Sequence, residues 1–510
     1  MPSDAPTHPP VLDATSDIIV VSDFHIGRGH NPATSRFHTL EAFFYDEDFL
    51  SFCRYLCTDA KSRNVAFTLV LNGDIFDLLR VDPEPSPHAT SLTERRYGAP
   101  NTPETAPRVV HQILAGHSRF VRALTEVLAA GNHVVMLAGN HDIESEWEPV
   151  RSEVRAAIVA ELAAPDINGD VEDCLARLVF RSWFYYVPGR VWIEHGSQYD
   201  PANAFKYFLR GNLTDVSQAV YAAEHDMPLG NFFQRYLYNA FGHITFIVPD
   251  ARANLRYMRW FLLNEPRFLF RVLARHVPFA AMMLRRAAKS EEPAKQLEHA
   301  HQHALARIAE STGLGDKLRT IDQLKEVRVD AAQAAQALIT QLLKTSAIAG
   351  IMMLGALLAW FVGFLVINDL QGGLAWRALL FMFLNFAMLL LAGGIVAWRL
   401  LRPPPVWKAK PLLRAAQALV NILDVPLVVF GHTHVETVTR LVRKNGEPAW
   451  YFNTGTWIAV FTHDELIPRE RVQQTFLRIR GNEGELLFWS PERGVPLKVV
   501  LLDESPLSAD

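Results

Sequence analysis

The chain has 510 residues and a net charge of −4 at pH 7, with 49% hydrophobic residues. This length exceeds that of one ordinary domain, and the small net charge argues against a nucleic-acid partner held by bulk charge. Three cysteines are too few for a disulfide framework and are typical of a reducing compartment. A slightly positive mean hydropathy directs attention to membrane segments.

Residues 1–16 are polar and rich in proline, without the basic and apolar regions of a secretory signal, and they predict a disordered lead. Residues 17–201 predict an α/β domain. Short apolar runs at 17–21 (DIIVV), 65–71 (VAFTLVL) and 133–138 (HVVMLA) indicate buried strands, with helical patterns between them. Residues 185–195 (YYVPGRVWIEH) predict a hairpin that turns at Pro188 and Gly189.

The α/β alternation then stops, and residues 202–345 predict a helical insertion. Within it, Arg252–Lys289 carries arginines at spacings of three and four, with aromatic residues among them. Such a basic amphipathic segment favours binding to the anionic surface of a membrane. The alternative is a helix packed on the α/β domain with a solvated basic face.

Residues 346–398 predict a transmembrane helical hairpin. Ser346–Ile367 contains no charge, and Ala378–Trp398 is interrupted only by Asn385; each meets the ~20 residues that a bilayer core needs. The alternative is a pair of buried helices. Basic residues flank the outer ends, so we expect the α/β domain on the cytoplasmic side of an inner or plasma membrane.

The α/β pattern returns at 411–505, the second part of the same domain. An apolar run at 425–430 leads into GHTH at 431–434, and a hairpin is expected around Lys444, Asn445 and Gly446. We therefore expect one α/β domain, interrupted by a long helical insertion.

Polar residues that can bind metal follow five of the apolar runs. They occur in DFH (23–25), GDIFD (73–77), GNHD (139–142), HG (195–196) and GHTH (431–434). Ligands gather at the carboxyl ends of strands in an open α/β sheet, so we expect these residues to converge. Carboxylate and imidazole without thiolate suit Mn, with Fe or Zn as alternatives. Seven candidate ligands exceed the need of one ion and predict a two-metal hydrolytic centre.

These five motifs, in this order, resemble the calcineurin-like metallophosphoesterases over about residues 1–200 and 411–460. The resemblance implies a four-layer α/β/β/α sandwich and a phosphoester hydrolysed by a metal-bridging hydroxide. It also implies that one ion is held by Asp23, His25, Asp74 and His434, and the other by Asp74, Asn140, His195 and His432. The resemblance further implies that His141 stabilises the phosphoryl charge or protonates the leaving oxygen, and that Asp142 orients His141. Asp77 then either supports the ligands from behind or is structural.

The substrate is expected to be a phosphodiester or pyrophosphate, lipid-linked or nucleotide-linked, with membrane lipids held by Arg252–Lys289 and by the hairpin Ser346–Trp398. HGSQYD at 195–200 is similar to the UDP-diacylglucosamine pyrophosphatase branch of the superfamily, although that branch has Arg where His141 stands. One alternative is a phosphomonoesterase or protein phosphatase. Another is a non-catalytic membrane sensor, against which the intact ligand set argues.

Overall fold

The computed structural model describes residues 16–80 with gaps at 32–39, 101–210, 226–239 with gaps, eight residues within 263–274, 292–325, 355–401 with gaps, 410–459 and 474–499. Almost all of the predicted lead, and most of the basic segment Arg252–Lys289, lie outside the described residues. The chain divides into two compact units. Unit 1 consists of Met1–Ala331 and Lys408–Asp510, and unit 2 of Ala332–Trp407.

The strands, all in unit 1, are β1 (Asp17–Val21), β2 (His30–Asn31), β3 (Arg36–Phe37), β4 (Phe67–Asn72), β5 (His133–Leu137), β6 (Leu178–Arg181), β7 (Phe184–Val187), β8 (Val191–Glu194), β9 (Leu427–Phe430), β10 (Thr437–Val442), β11 (Pro448–Asn453), β12 (Gln474–Arg480), β13 (Glu483–Ser490) and β14 (Val495–Lys498). The helices are α1 (Asp46–Arg63), α2 (Ala106–Gly116), α3 (Ser118–Ala129), α4 (Glu148–Leu162), α5 (Val171–Ala176), α6 (Leu229–Tyr236), α7 (Glu292–Thr312), α8 (Asp316–Asp322), α9 (Leu374–Leu401) and α10 (Lys410–Leu423). Of these helices, α9 alone lies in unit 2.

The larger sheet has seven strands in the order β14-β13-β12-β1-β4-β5-β6. Strands β1, β4, β5 and β6 are parallel, and β12 joins β1 antiparallel. The first three parallel strands are the predicted apolar runs. They are apolar on both faces because a parallel sheet is covered on both sides. The carboxyl ends of β1, β4 and β5 consequently lie at one edge of this sheet.

The smaller sheet has five strands in the order β10-β11-β9-β8-β7. Strands β8 and β9 run parallel, although more than two hundred residues separate them in sequence. The predicted hairpins are the pairs β7–β8 and β10–β11. Their turns contain Gly189 (φ 69°) and Gly446 (φ 84°), in a left-handed conformation that glycine adopts without steric cost.

Three apolar clusters define the layers of unit 1. Helices α1 to α4 pack on one face of the larger sheet through residues such as Phe49 and Leu124. The facing sides of the two sheets form a second cluster, which includes Val20 and Val429. Helices α7, α8 and α10 cover the other face of the smaller sheet. The order of layers is thus α/β/β/α. The smaller sheet and the helices that cover it are built from residues that precede unit 2 in sequence and residues that follow it.

The predicted transmembrane hairpin is wrong. Among the described residues, none of the helices combines the length and the apolar character that a bilayer crossing requires. Most of Ser346–Ile367 before residue 360 lies outside the described residues. Helix α9 covers Ala378–Trp398 but carries polar Asn385, which accepts a hydrogen bond from the Trp360 indole at 3.1 Å. The multi-pass membrane localisation that rested on these spans is wrong with them.

Candidate metal centre

All seven predicted metal ligands come together where the two sheets meet. They follow the carboxyl ends of β1, β4 and β5 in the larger sheet and of β8 and β9 in the smaller one: Asp23, His25, Asp74, Asn140, His195, His432 and His434. None of them is more than 4% exposed. Backbone hydrogen bonds join the loops that carry them, from His25 N to Asp74 O (2.9 Å) and from Gly431 N to His195 O (3.0 Å). Convergence at strand ends therefore places the side chains as the sequence predicts.

Five of these seven residues have a left-handed backbone. The φ angles are 56° at Asp23, 46° at His25, 51° at Asp74, 70° at His432 and 57° at His434. Residues other than glycine adopt this conformation rarely and at a cost of about 1–3 kcal/mol each. Such conformations persist where the surrounding contacts enforce them, and they cluster at functional sites.

Glycines before the ligands allow the loops to approach one another. A Cβ at Gly139 would lie 2.2 Å from Asp74 Oδ1, and one at Gly73 would lie 2.6 Å from His195 Nδ1. A Cβ at Gly431 would lie 2.6 Å from Asp23 Oδ2. Each distance is shorter than a van der Waals contact, so the glycine of each motif is needed for the close packing of the ligand loops.

One group of donors contains Asp23, His25 and His434. The Nε2 atoms of His25 and His434 lie 2.8 Å apart, and His434 Nε2 is 3.3 Å from Asp23 Oδ1. Asp74 Oδ2 lies 3.8 Å from His25 Nε2. Burial, reinforced by the positive charge of His141, lowers the pKa of His25 to about 4. His25 is therefore neutral at pH 7, which is the form that binds metal.

A second group contains Asp74, Asn140, His195 and His432. His195 Nε2 lies 3.2 Å from both Asp74 Oδ2 and Asn140 Oδ1. His195 Nδ1 donates a hydrogen bond to the backbone oxygen of Asn72 at 3.0 Å. This bond fixes the tautomer of the ring and leaves Nε2 as the atom that can bind metal.

The donors fit divalent cations. Asp23 with His25 and His434, and Asp74 with His195 and His432, each bring ligand atoms within 4.8 Å of one another. Burial lowers the pKa of His195, but the charge of Asp74 outweighs it and raises that pKa to about 10. The buried carboxylates thus attract positive charge strongly at the position that a cation would take. These buried His and Asp groups could hold a metal ion, and their oxygen and nitrogen donors suit Mn, Fe or Zn.

His141 lies beside the candidate ligands. Its side chain is 16% exposed, which is more than any of the seven ligands. Its Nδ1 is 3.0 Å from Asp77 Oδ1, and its ring packs edge-on against that of His25, with centroids 4.6 Å apart. Burial lowers the pKa of His141, but the carboxylates of Asp77 and Asp74 outweigh it and raise the pKa above its usual value. These carboxylates therefore favour the protonated form of His141 at the edge of the cluster.

Asp77 and Asp142 make different contacts, and the roles that the resemblance implies for them stay predictions. Asp77 is the carboxylate that contacts His141, and its other oxygen lies 3.5 Å from His25 Nδ1. Asp142 instead accepts hydrogen bonds from four backbone N–H groups, those of Gly139 (2.7 Å), Ile75 (2.8 Å), Asp74 (3.2 Å) and Phe76 (3.2 Å). Through these hydrogen bonds, Asp142 connects the GDIFD loop to the GNHD loop.

Asp200 is a site residue that the sequence reasoning did not assign. Its Oδ2 lies 2.9 Å from His432 Nε2, and it also accepts a hydrogen bond from Asn203 Nδ2 at 2.8 Å. The only sequence signal was its position at the end of HGSQYD, five residues after His195. Asn231, which contacts Asn140, carries no sequence signal at all.

No protein-family model matches the chain, and no curated protein matches it.

Proposed function

We propose that the chain is a metal-dependent phosphoesterase that hydrolyses a phosphodiester or pyrophosphate. The observation that carries the proposal is the convergence of seven buried ligand side chains at five strand ends, with His141 beside them. A binding protein has no need of a proton donor next to its cations, whereas hydrolysis of a phosphate ester uses both.

Two ions are proposed, with Mn²⁺ first and Fe or Zn as alternatives. One would be held by Asp23, His25, Asp74 and His434, and the other by Asp74, Asn140, His195 and His432. When bound, a pair of divalent cations generates a nucleophile from water near neutral pH and neutralises the oxygens of a phosphate. The carboxylate of Asp74 stands between the two groups of donors and would be shared.

His141 is proposed as the general acid. Asp77 accepts a hydrogen bond from His141 Nδ1, which fixes the ring and favours its protonated form. The Nε2 proton is then available to the oxygen of the leaving group, and the partial exposure of the ring allows a substrate to reach it. Such a positioned acid contributes about 10²–10⁴-fold to a rate.

The test is hydrolysis of bis-p-nitrophenyl phosphate and p-nitrophenyl phosphate by the full chain with added Mn²⁺. We expect turnover of the diester, lost in Asp74→Ala together with bound metal. His141→Ala should lose about 10²–10⁴-fold in kcat and keep its metal. The controls are Asp316→Ala, at a side chain that is 99% exposed, and His111→Ala, at one that is 72% exposed.

The outcomes separate the alternatives. Hydrolysis of the monoester alone would replace the proposal with a phosphomonoesterase. Stoichiometric binding of metal without turnover of either substrate, followed by none on nucleotide pyrophosphates, would favour a non-catalytic binding protein. A wild-type chain that binds no divalent cation would refute the metal centre itself.

A further inference from the structure

Asn140 is paired with Asn231, a residue of α6 in the insertion. Asn140 Nδ2 donates to Asn231 Oδ1 at 3.0 Å, and Asn231 Nδ2 donates to the backbone oxygen of Asn140 at 2.6 Å. Both residues are 2% exposed. The two bonds use both polar ends of the Asn231 amide, so this side chain is fully engaged at the candidate metal centre.

The pairing decides which atom of Asn140 faces the other ligands. An asparagine amide presents either an oxygen or an NH₂ group, and only the oxygen binds a cation. Because Nδ2 is held by Asn231, Oδ1 is directed toward His195 Nε2, at 3.2 Å. Without Asn231 the amide is free to rotate, and its NH₂ group can turn toward the place of the cation.

Helix α6 is itself fixed to the loop that follows His195. Gly230 N donates to the backbone oxygen of Ala202 at 2.8 Å, and a Cβ at Gly230 would lie 2.1 Å from Asn203 Oδ1. Asn203 in turn bonds to Asp200, which contacts His432. A continuous series of contacts therefore runs from Asn140 through α6 to His432, and it connects two members of the same donor group.

We propose that Asn231 is a positioning residue for the ion of Asp74, Asn140, His195 and His432, and that this ion is held tightly only while α6 is docked. The inference rests on the proposed metal centre. In this proposal the insertion contributes a residue that orients a ligand of the metal centre. The other ion, of Asp23, His25, Asp74 and His434, does not depend on α6 in this way, since its donors make no contact with Asn231 among those that the described residues show.

The test is titration of the metal-free full chain with Mn²⁺, followed by equilibrium dialysis and electron paramagnetic resonance. We expect two sites in the wild type. Asn231→Leu, which keeps the branched shape of the side chain and loses both hydrogen bonds, should weaken one site about 10–100-fold, as loss of a residue that orients a ligand does. The spectrum should change from that of a coupled pair to that of isolated Mn²⁺. Asn231→Asp keeps the acceptor for Asn140 Nδ2 and should retain more of this site than Asn231→Leu.

The matched control is Gln234→Ala on the same helix. Gln234 is also buried and donates to Asn239 at 2.8 Å, away from Asn140. The inference would be overturned if both Asn231 variants bind Mn²⁺ at two sites with the affinity of the wild type. It would also be overturned if Gln234→Ala weakens Mn²⁺ binding as much as Asn231→Leu does. If Asn231→Leu fails to fold, Asn231→Asp set against Gln234→Ala decides the question. A wild type without Mn²⁺ sites contradicts the proposed function instead, so the two failures are distinct.

Discussion

The two carboxylates next to the candidate ligands, Asp77 and Asp142, make different contacts at this centre. Asp77 contacts His141 and His25, whereas Asp142 is surrounded by backbone N–H groups. Burial, with the negative Asp74 beside it, raises the pKa of Asp142 to about 7, and the N–H groups of Gly139 and Phe76 oppose that rise. The two carboxylates should therefore respond differently to the same substitution.

Asp77→Asn should lower kcat about 10–100-fold with little change in KM, because His141 loses the partner that holds its proton and its orientation. The bound metal should remain. Steady-state kinetics on the diester, with metal content measured in parallel, checks this. If metal content falls while kcat per bound metal is unchanged, Asp77 positions the ligand His25 and not His141.

Asp142→Asn should destabilise the fold by about 2–3 kcal/mol. In the wild type, four backbone N–H groups share two carboxylate oxygens, whereas the amide of asparagine offers them only one acceptor oxygen. The measurement is the free energy of unfolding in urea for the metal-free protein, where catalysis plays no part. If this variant is as stable as the wild type and only kcat falls, Asp142 has the orienting role that the sequence suggested.

Gly139→Ala should cost about 3 kcal/mol in unfolding free energy and reduce metal binding, because the new Cβ would displace the backbone and carboxylate of Asp74. Gly373→Ala is the control, since a Cβ there meets no described atom within 4 Å and its φ is unstrained. Thermal unfolding and metal content of both variants check the prediction. An equal effect of the two would rule out close approach as the reason for the glycine.

At the scale of elements, the loop after β1 is held by a buried charged cluster. The Glu41 carboxylate accepts hydrogen bonds from the backbone of Gly27 (3.0 Å) and Gly29 (2.6 Å), and lies 3.3 Å from His117 Nε2. His117 Nδ1 lies 2.9 Å from Asp46 Oδ2, at the start of α1. His117, between α2 and α3, thus ties both helices to the loop that follows His25.

This cluster predicts a loss of stability at alkaline pH. Burial lowers the pKa of His117, but hydrogen bonds to Asp46 and Glu41 outweigh it and raise the pKa to about 9, against 6.5 in the unfolded chain. The folded state therefore binds the proton more tightly. The stabilisation is complete below pH 6.5 and is lost as the pH rises to about 9, by at most about 3 kcal/mol. The measurement is the free energy of unfolding in urea from pH 6 to 10. His117→Gln should make this free energy less dependent on pH. An equally steep dependence in that variant would exclude His117 as its cause.

The strands and the ligands at their ends could be predicted from the sequence because the signal is local. Each apolar run is followed within a few residues by Asp, Asn or His, and parallel strands bring their carboxyl ends together. The partner of His141 could not be predicted, because adjacency in sequence says nothing about the direction of a side chain in a loop of unusual φ. Asn231 could not be predicted either, since its contact with Asn140 spans ninety-one residues and depends on how α6 docks.

At the scale of the whole molecule, the centre joins two distant parts of the chain. His25 and His434 face each other across a separation of 409 residues, and β1 pairs with β12 from the C-terminal part. Ions bound at the proposed centre would hold the two parts together in the folded state and would have little affinity for the unfolded chain. Metal should therefore add to the stability of the entire unit 1.

Removal of metal should lower the melting temperature, and Mn²⁺ at about 100 times its Kd should restore about 2.7 kcal/mol. Calorimetry of the full chain with chelator and with Mn²⁺ measures the difference. Asp74→Ala, which removes the shared carboxylate, should melt at the same temperature in both conditions. A shift that persists in that variant would place the stabilising ion elsewhere.

The same separation has a consequence during protein synthesis. At about 5–20 residues per second, the 409 residues between His25 and His434 take roughly 20–80 s to translate. Throughout that interval the nascent chain carries β1 without β12, and the candidate ligand set is incomplete. An exposed strand edge beside unpaired carboxylates is a surface that chaperones and stray cations both recognise. The two histidines of GHTH would therefore complete the proposed ligand set only late in synthesis, and slowing translation after β8 should increase the demand for chaperones.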